Sequence, residues 1–354
     1  MKVSKIDGLG SYGVYIDNVD FDHLTDEEWR EIGTLHMKNL VTIIRDCNLS
    51  PEKQLGWIKK FGEPRQVYYY SLMKKYGISS LGALIRLSMS KSSQMDEADK
   101  HVLQDYIRYQ QPTSEGAGIV RVSASKDKDG NSVGLFDKGE LLWHSNESGT
   151  LTFTPGVALL GANCMVGSST GFIQTADYYE SVSESFRSEL DEMIVIHRYT
   201  HGKINPTINE NLGRSNMCPV DDLEIPMVIR SPGGIKGLHY PLNTAFGIRG
   251  VSKTESEEIF AKINKHLFVD DYVFDHWYKN DGDMLLFDNS ITLHRRLSDV
   301  PNRMAYRIQH DYSELQTDFW QPYFQPNFAE KYREQIKDIV ETIGIKSFKL
   351  PETA

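Results

Sequence analysis

Cysteine is scarce in this chain, with 3 in 354 residues, at positions 47, 164 and 218. Odd in number, scattered, and without a Cys-x-x-Cys pair, they offer no disulfide framework, so a reducing, cytoplasmic setting is expected. Long apolar runs are missing as well: none approaches the ~20 residues that a spanning helix needs. Residues 1–7 carry no apolar core behind their lysines, so no secretory leader is expected. Positive charge is in deficit. With Lys+Arg 39 against Asp+Glu 49 the formal net charge is −10, and no basic stripe offsets it, which argues against nucleic acid or an anionic membrane as partner. Tandem repeats and Gly/Ser-rich linkers are absent too. What remains is globular composition, 40% apolar and 25% charged, ample for a large core. The length falls within the range of one elaborated domain, here taken as 1–354.

The elements are readable in places. Thr25-Asp26-Glu27-Glu28 is a capping box that opens a helix over 25–39 with Trp29, Ile32 and Leu35 at helical spacing. Residues 40–44 are β-branched and read as a buried strand. Ser50-Pro51 starts a second helix that Gly62 ends. Residues 64–118, with Tyr68-Tyr69-Tyr70 and a helix expected around 95–110, are the least legible and are expected to form an insertion or lid over a site. A hairpin is expected over 119–135, turning at Asp129-Gly130. Asp127, Asp129 and Asn131 fail as an EF-hand, because the glycine falls at the wrong loop position and no Glu closes the loop. Strands are expected at 151–153, 157–165, 227–230, 244–248, 283–287 and 303–311. Helices are expected at 176–193, at 252–266 behind the capping box Ser252-Lys253-Thr254-Glu255, and at 328–343. His197 and His201 stand four apart, but the residues that follow are poor helix formers, and a helix tail running into a loop is favoured over a ligand pair. Many strands with helices outside them predict one mainly β, α+β domain.

Chemistry concentrates in two stretches. Leu142-Trp143-His144-Ser145-Asn146-Glu147 places His144 and Asn146 two apart, on one face if the strand runs through both. Far downstream, Asp288-Asn289-Ser290-Ile291-Thr292-Leu293-His294 leads into Arg303-Met304-Ala305-Tyr306-Arg307. Two imidazoles and one oxygen ligand on one face match the non-haem iron arrangement, and a following arginine offers a fork for a dicarboxylate.

Together these stretches resemble the taurine dioxygenase family of Fe(II)/2-oxoglutarate-dependent oxygenases. The resemblance also takes in 24–28, 40–45, 61–63, Ser169-Thr170-Gly171, 227–230, 251–255, 283–294 and 302–307; only 65–135 has no clear counterpart. It implies a double-stranded β-helix, the cupin-like jelly roll, with the metal at its mouth. It also implies Fe(II), 2-oxoglutarate as co-substrate and O2, with His144, Asn146 and His294 on the metal, and Arg303 and Gln174 on 2-oxoglutarate. Arg307, Glu140 and Tyr70 would contact the substrate. Arg295 and Arg296 read as surface charges and receive no role. The implied reaction oxidises, most simply hydroxylates, an unactivated C–H bond of a small anionic or zwitterionic molecule, releasing succinate and CO2. A homo-oligomer is an assembly that such relatives adopt. The departure from the family pattern is Asn146, a neutral amide where the family carries an acid. It leaves four readings open: weak ligation by the amide, substitution by Glu147, a halide in the open position, or a β-helix protein that binds a small acid without turning it over.

Overall fold

Alternation along the strands decides which residues meet in the core. The structure is a computed structural model and describes residues 1–64, 70–90, 94–151, 153–198, 222–298, 300–315 and 326–343. Seven strands form one sheet in the order β1 (Lys2–Lys5), β2 (Val14–Asp17), β3 (Val41–Ile44), β14 (Met284–Asp288), β6 (Gly156–Asn163), β16 (Met304–His310), β4 (Ile119–Ser123). Four more form a facing sheet, β13 (Val273–Trp277), β7 (Ser169–Gln174), β15 (Thr292–Arg296), β5 (Leu141–His144). Val41, Ile43, Leu285 and Phe287 point inward and meet Phe172 between the sheets. Their neighbours Ile44, Met284 and Leu286 point outward into a second core, as a period of two requires. This is the expected double-stranded β-helix, mainly β with helices outside. Its two sheets remain separate, with no ladder joining them among the described residues.

The outer face of the large sheet is covered by α1 (Asp26–Asn39) and α2 (Pro51–Ile58). Both start where the sequence predicts. The Thr25 hydroxyl accepts from Glu28 N–H while the Glu28 carboxylate accepts from Thr25 N–H, and Ser50 caps α2 ahead of Pro51. Trp29 anchors this layer, fully buried, stacked on Phe61 at 4.5 Å, its indole N–H donating to Trp57 O. Behind the small sheet lie α6 (Ala176–Ser181), α7 (Glu184–Glu192) and α8 (Lys253–Leu267), packed with a three-stranded sheet of β8 (Ile194–His197), β9 (Leu223–Pro226) and β12 (Ala245–Ile248). A two-stranded ribbon of β10 (Val228–Arg230) and β11 (Lys236–Leu238) completes the sheets. A last helix, α9, spans Pro326–Ile343.

Two expectations change. The helix over 176–193 is two helices, because Ser183 is extended and its hydroxyl accepts from Phe186 N–H, starting a new helix. Residues 151 and 153 lie in no strand, and residue 152 lies outside the described residues. As expected, a helix covers 97–109; among the described residues of 64–118 there are three helices, α3 (Tyr70–Lys75), α4 (Leu81–Met89) and α5 (Glu97–Tyr109), with a small core of Leu72, Leu84, Leu103 and Tyr106 against Val120 of β4. The Asp127 carboxylate accepts from the N–H groups of Asp129 and Asn131, so it closes a turn. Among the described residues no helix is long and apolar enough to cross a membrane.

Candidate metal and dicarboxylate site

His144 ends β5 and sits directly opposite His294 of β15 in the antiparallel register. Opposed residues on paired strands point to the same face, and the two imidazoles lie 4.1 Å apart between ring centres. Both are buried. Burial draws the His144 pKa down to about 4, with the nearby Arg307 and Arg296 charges adding to the fall and hydrogen bonds opposing it. His294 lies well below the usual range from burial, His144 and Arg307. Both rings are therefore neutral at neutral pH, the form that ligates metals. Leu142 O lies 2.6 Å from His144 Nδ1, which places the proton there and turns the Nε2 lone pair outward.

Asn146 lies beyond the end of the strand, not on it as expected. The strand ends at His144, and Asn146 lies in the turn that follows, with Glu147 at φ 56° and Gly149 at φ 75°. Ser145 Oγ donates to Thr292 O, and Asn289 hydrogen-bonds the backbone of Asn146. The side-chain Oδ1 accepts from Arg307 Nη1 at 3.5 Å, a long contact, and Nδ2 is buried without a partner among the described residues. The candidate donors are then two neutral imidazoles and one amide oxygen. They include no carboxylate, and no group of three His, Cys, Asp or Glu that could hold a metal is found among the described residues. Two imidazoles with one oxygen donor fit a divalent first-row metal, more weakly than a set with an acid, since no anionic ligand offsets the metal's charge.

Arg303 precedes β16 and Arg307 lies within it, four residues on and so on the same face. Both are buried, and the Arg307 charge acts on both His144 and His294. Arg303 Nη2 donates to Phe136 O at 2.6 Å.

Not every expected residue joins them. Gln174 is fully buried, but its Oε1 accepts from Ala176 and Asp177 N–H, and its Nε2 donates to Asp177 Oδ2 and, at 3.4 Å, to Leu9 O. An amide has two donor hydrogens and two acceptor lone pairs, so Gln174 caps a turn and has no polar group left for a dicarboxylate. Glu140 is exposed, just before β5. Tyr70 is the first residue of α3, and its side chain lies outside the described residues. His197 ends strand β8, which rules out helical spacing toward residue 201, itself outside the described residues. Glu147 follows Asn146 in the turn and is buried. Two arginines read as surface charges are structural. Arg295 pairs bidentately with Asp275 and lies 4.4 Å over the Trp143 ring. Arg296 is buried and donates to the carbonyls of Phe136 and Gly139. The missed signal was register, since β15 carries both residues into the sheet.

Comparison with known proteins bears on the fold and the family. A taurine dioxygenase from Burkholderia xenovorans is 18% identical, with a TM-score of 0.58 over 87% of this chain and 88% of that one. A second Burkholderia xenovorans structure, described as a putative alpha-ketoglutarate-dependent taurine dioxygenase, is 17% identical with a TM-score of 0.58 over the same shares. AAD-2 in complex with Mn(II) and N-oxalylglycine is 17% identical, with a TM-score of 0.60 over 91% of this chain and 100% of that one. At these identities the likeness shows the fold. No protein of curated function matches the chain. The sequence profile described as "Taurine catabolism dioxygenase TauD, TfdA family" matches residues 5–309, and over that span, which carries both histidines and both arginines of the site, the chain belongs to this dioxygenase family.

Proposed function

We propose that the protein is an Fe(II)- and 2-oxoglutarate-dependent oxygenase that oxidises an unactivated C–H bond of a small anionic or zwitterionic substrate. The observation that carries this reading is the opposed pair His144 and His294, held neutral, with two buried arginines at β16 of the facing sheet, of which Arg307 donates to the Asn146 amide oxygen. In that reading His144, His294 and Asn146 hold the metal. Arg303 takes the far carboxylate of 2-oxoglutarate, whose planar group matches a guanidinium fork. N-oxalylglycine, bound by AAD-2, has the same two terminal carboxylates, which supports that co-substrate class. When bound, the metal and co-substrate supply the oxidising chemistry, with decarboxylation to succinate and CO2. The protein's own part is to bind, orient and exclude water. Arg307 holds the anionic group of the substrate, and Glu140, outside at the approach to β5, meets an ammonium where the substrate has one. The direct test is anaerobic addition of Fe(II) and 2-oxoglutarate, expected to give a weak visible charge-transfer band that His144→Ala abolishes, followed by succinate release under air.

A second reading rests on Asn146. A centre without an acidic ligand suits a β-helix protein that binds a small acid and does not oxidise it. Absence of the band at saturating iron, with 2-oxoglutarate still binding, would favour that alternative.

A further inference from the structure

The β5·β15 ladder stops at the pair His144–His294, yet the third proposed ligand lies two residues beyond, in a turn. Something other than the ladder must set its position. Asn289 does so with its side chain. Its Oδ1 accepts from Asn146 N–H at 2.9 Å, and its Nδ2 donates to Asn146 O at 2.9 Å and to Thr154 O at 2.9 Å. One amide thus meets both the N–H and the C=O of a single residue, as an opposing residue does in a hydrogen-bonded pair of an antiparallel sheet. Asn289 is 0% exposed, and its own N–H donates to Pro155 O, so the residue is anchored at both ends. The preceding Asp288 fixes the same turn, its Oδ1 accepting from Ser290 and Ile291 N–H. That turn leads directly into β15 and His294.

We infer that Asn289 is a positioning residue of the metal centre: its side-chain amide extends the β5·β15 pairing by one step and fixes the backbone from which the Asn146 amide reaches the metal. The inference rests on the proposed reading of His144, Asn146 and His294 as ligands. It assigns Asn289 no contact with metal or substrate. The chemistry is specific to an amide. Aspartate keeps an acceptor for Asn146 N–H but sets an oxygen against two carbonyls, and alanine leaves all three backbone groups without their partner.

The test is Mn(II) affinity, followed by electron paramagnetic resonance of the free ion, in the full chain with Asn289→Ala and Asn289→Asp. Both should bind Mn(II) more weakly by ~10–100-fold, the range for residues that orient ligands. For Asn289→Asp the added negative charge would by itself favour the cation, so a fall there reports geometry. In an Asn146→Ala background the Asn289→Ala effect should shrink to within a few-fold, because the side chain it positions is gone. A folded Asn289→Ala with native Mn(II) affinity, or an effect undiminished in the Asn146→Ala background, overturns the inference. If neither variant gives a cooperative melt, Asn289 is a requirement of the fold and the inference falls as well. His144→Ala separates the two readings: if it binds Mn(II) like the native chain, the proposed ligand set itself is wrong.

Discussion

Replacing Asn146 by aspartate adds the charge that the site lacks, and the structure sets the scale of the effect. At an effective dielectric of about 20, unit charges about 4 Å apart attract by about 4 kcal/mol, and a divalent ion doubles that figure. Burying the new carboxylate at a position 6% exposed returns several kcal/mol of it. Arg307 takes a further share, since its Nη1 is 3.5 Å from Asn146 Oδ1 and would pair with the acid in the metal-free protein. The remainder is about 2 kcal/mol, a gain of roughly thirtyfold in divalent-metal affinity. Isothermal titration with Mn(II) measures it directly, and succinate release at sub-saturating iron should rise in parallel. Unchanged or weaker Mn(II) binding in a folded Asn146→Asp protein would mean that this side chain does not face the metal, and the ligand assignment would have to be redrawn around the two histidines.

Arg303→Gln should raise the Kd for 2-oxoglutarate by roughly ten- to a hundredfold, the loss of charge-assisted hydrogen bonds of about 1.5–3 kcal/mol; an unchanged Kd by fluorescence titration would release Arg303 from that role. Gln174→Ala should lower stability by about 1–3 kcal/mol through loss of its turn bonds while leaving 2-oxoglutarate affinity in place. A loss of co-substrate affinity without a shift in urea midpoint would restore it to the binding site. Acid should destabilise the metal-free protein between pH 7 and 5.5. His36 is drawn down to about 3, and His144, His239 and His310 to about 4, all by burial, so the unfolded chain, near 6.5, binds protons first. Stability from these groups is present above pH 6.5 and lost as pH falls, about 1 kcal/mol per imidazole by pH 5.5. Asp288, raised by burial to about 7, works the other way and offsets one or two of them. A urea midpoint that rises on acidification in the presence of chelator would show that these rings are already charged in the fold.

The strands were legible because period-two patterns are local features, and the two histidines because the distant stretches around 144 and 294–307 together carry the family pattern. Capping boxes at Thr25 and Ser252 placed two helices to within a residue, since the signal is a pair of side chains three apart. Gln174 misled because position alone cannot tell where an amide points; an Asp three residues on claimed it. Arg296 misled because composition marks arginine as exposed, while register carried it inward. Asn289 could not be found without coordinates: its partners lie 143 and 135 residues away, and nothing in Asp-Asn-Ser announces which backbone its amide will meet.

The pairing of His144 with His294 has a consequence for how this chain can change. The two rings meet because two short strands are in step, whatever length of chain separates them. Lengthening the connections between β5 and β15 leaves that step intact and adds little entropic penalty, since loop closure grows only with the logarithm of length. Adding one residue inside either strand sends a ring to the opposite face. The connecting loops can therefore drift freely in length. The nine residues of the two strands cannot, although their ladder already absorbs one irregularity between His294 and Arg296. Insertion scanning at the other strand positions should trace an alternating record of metal binding lost and regained.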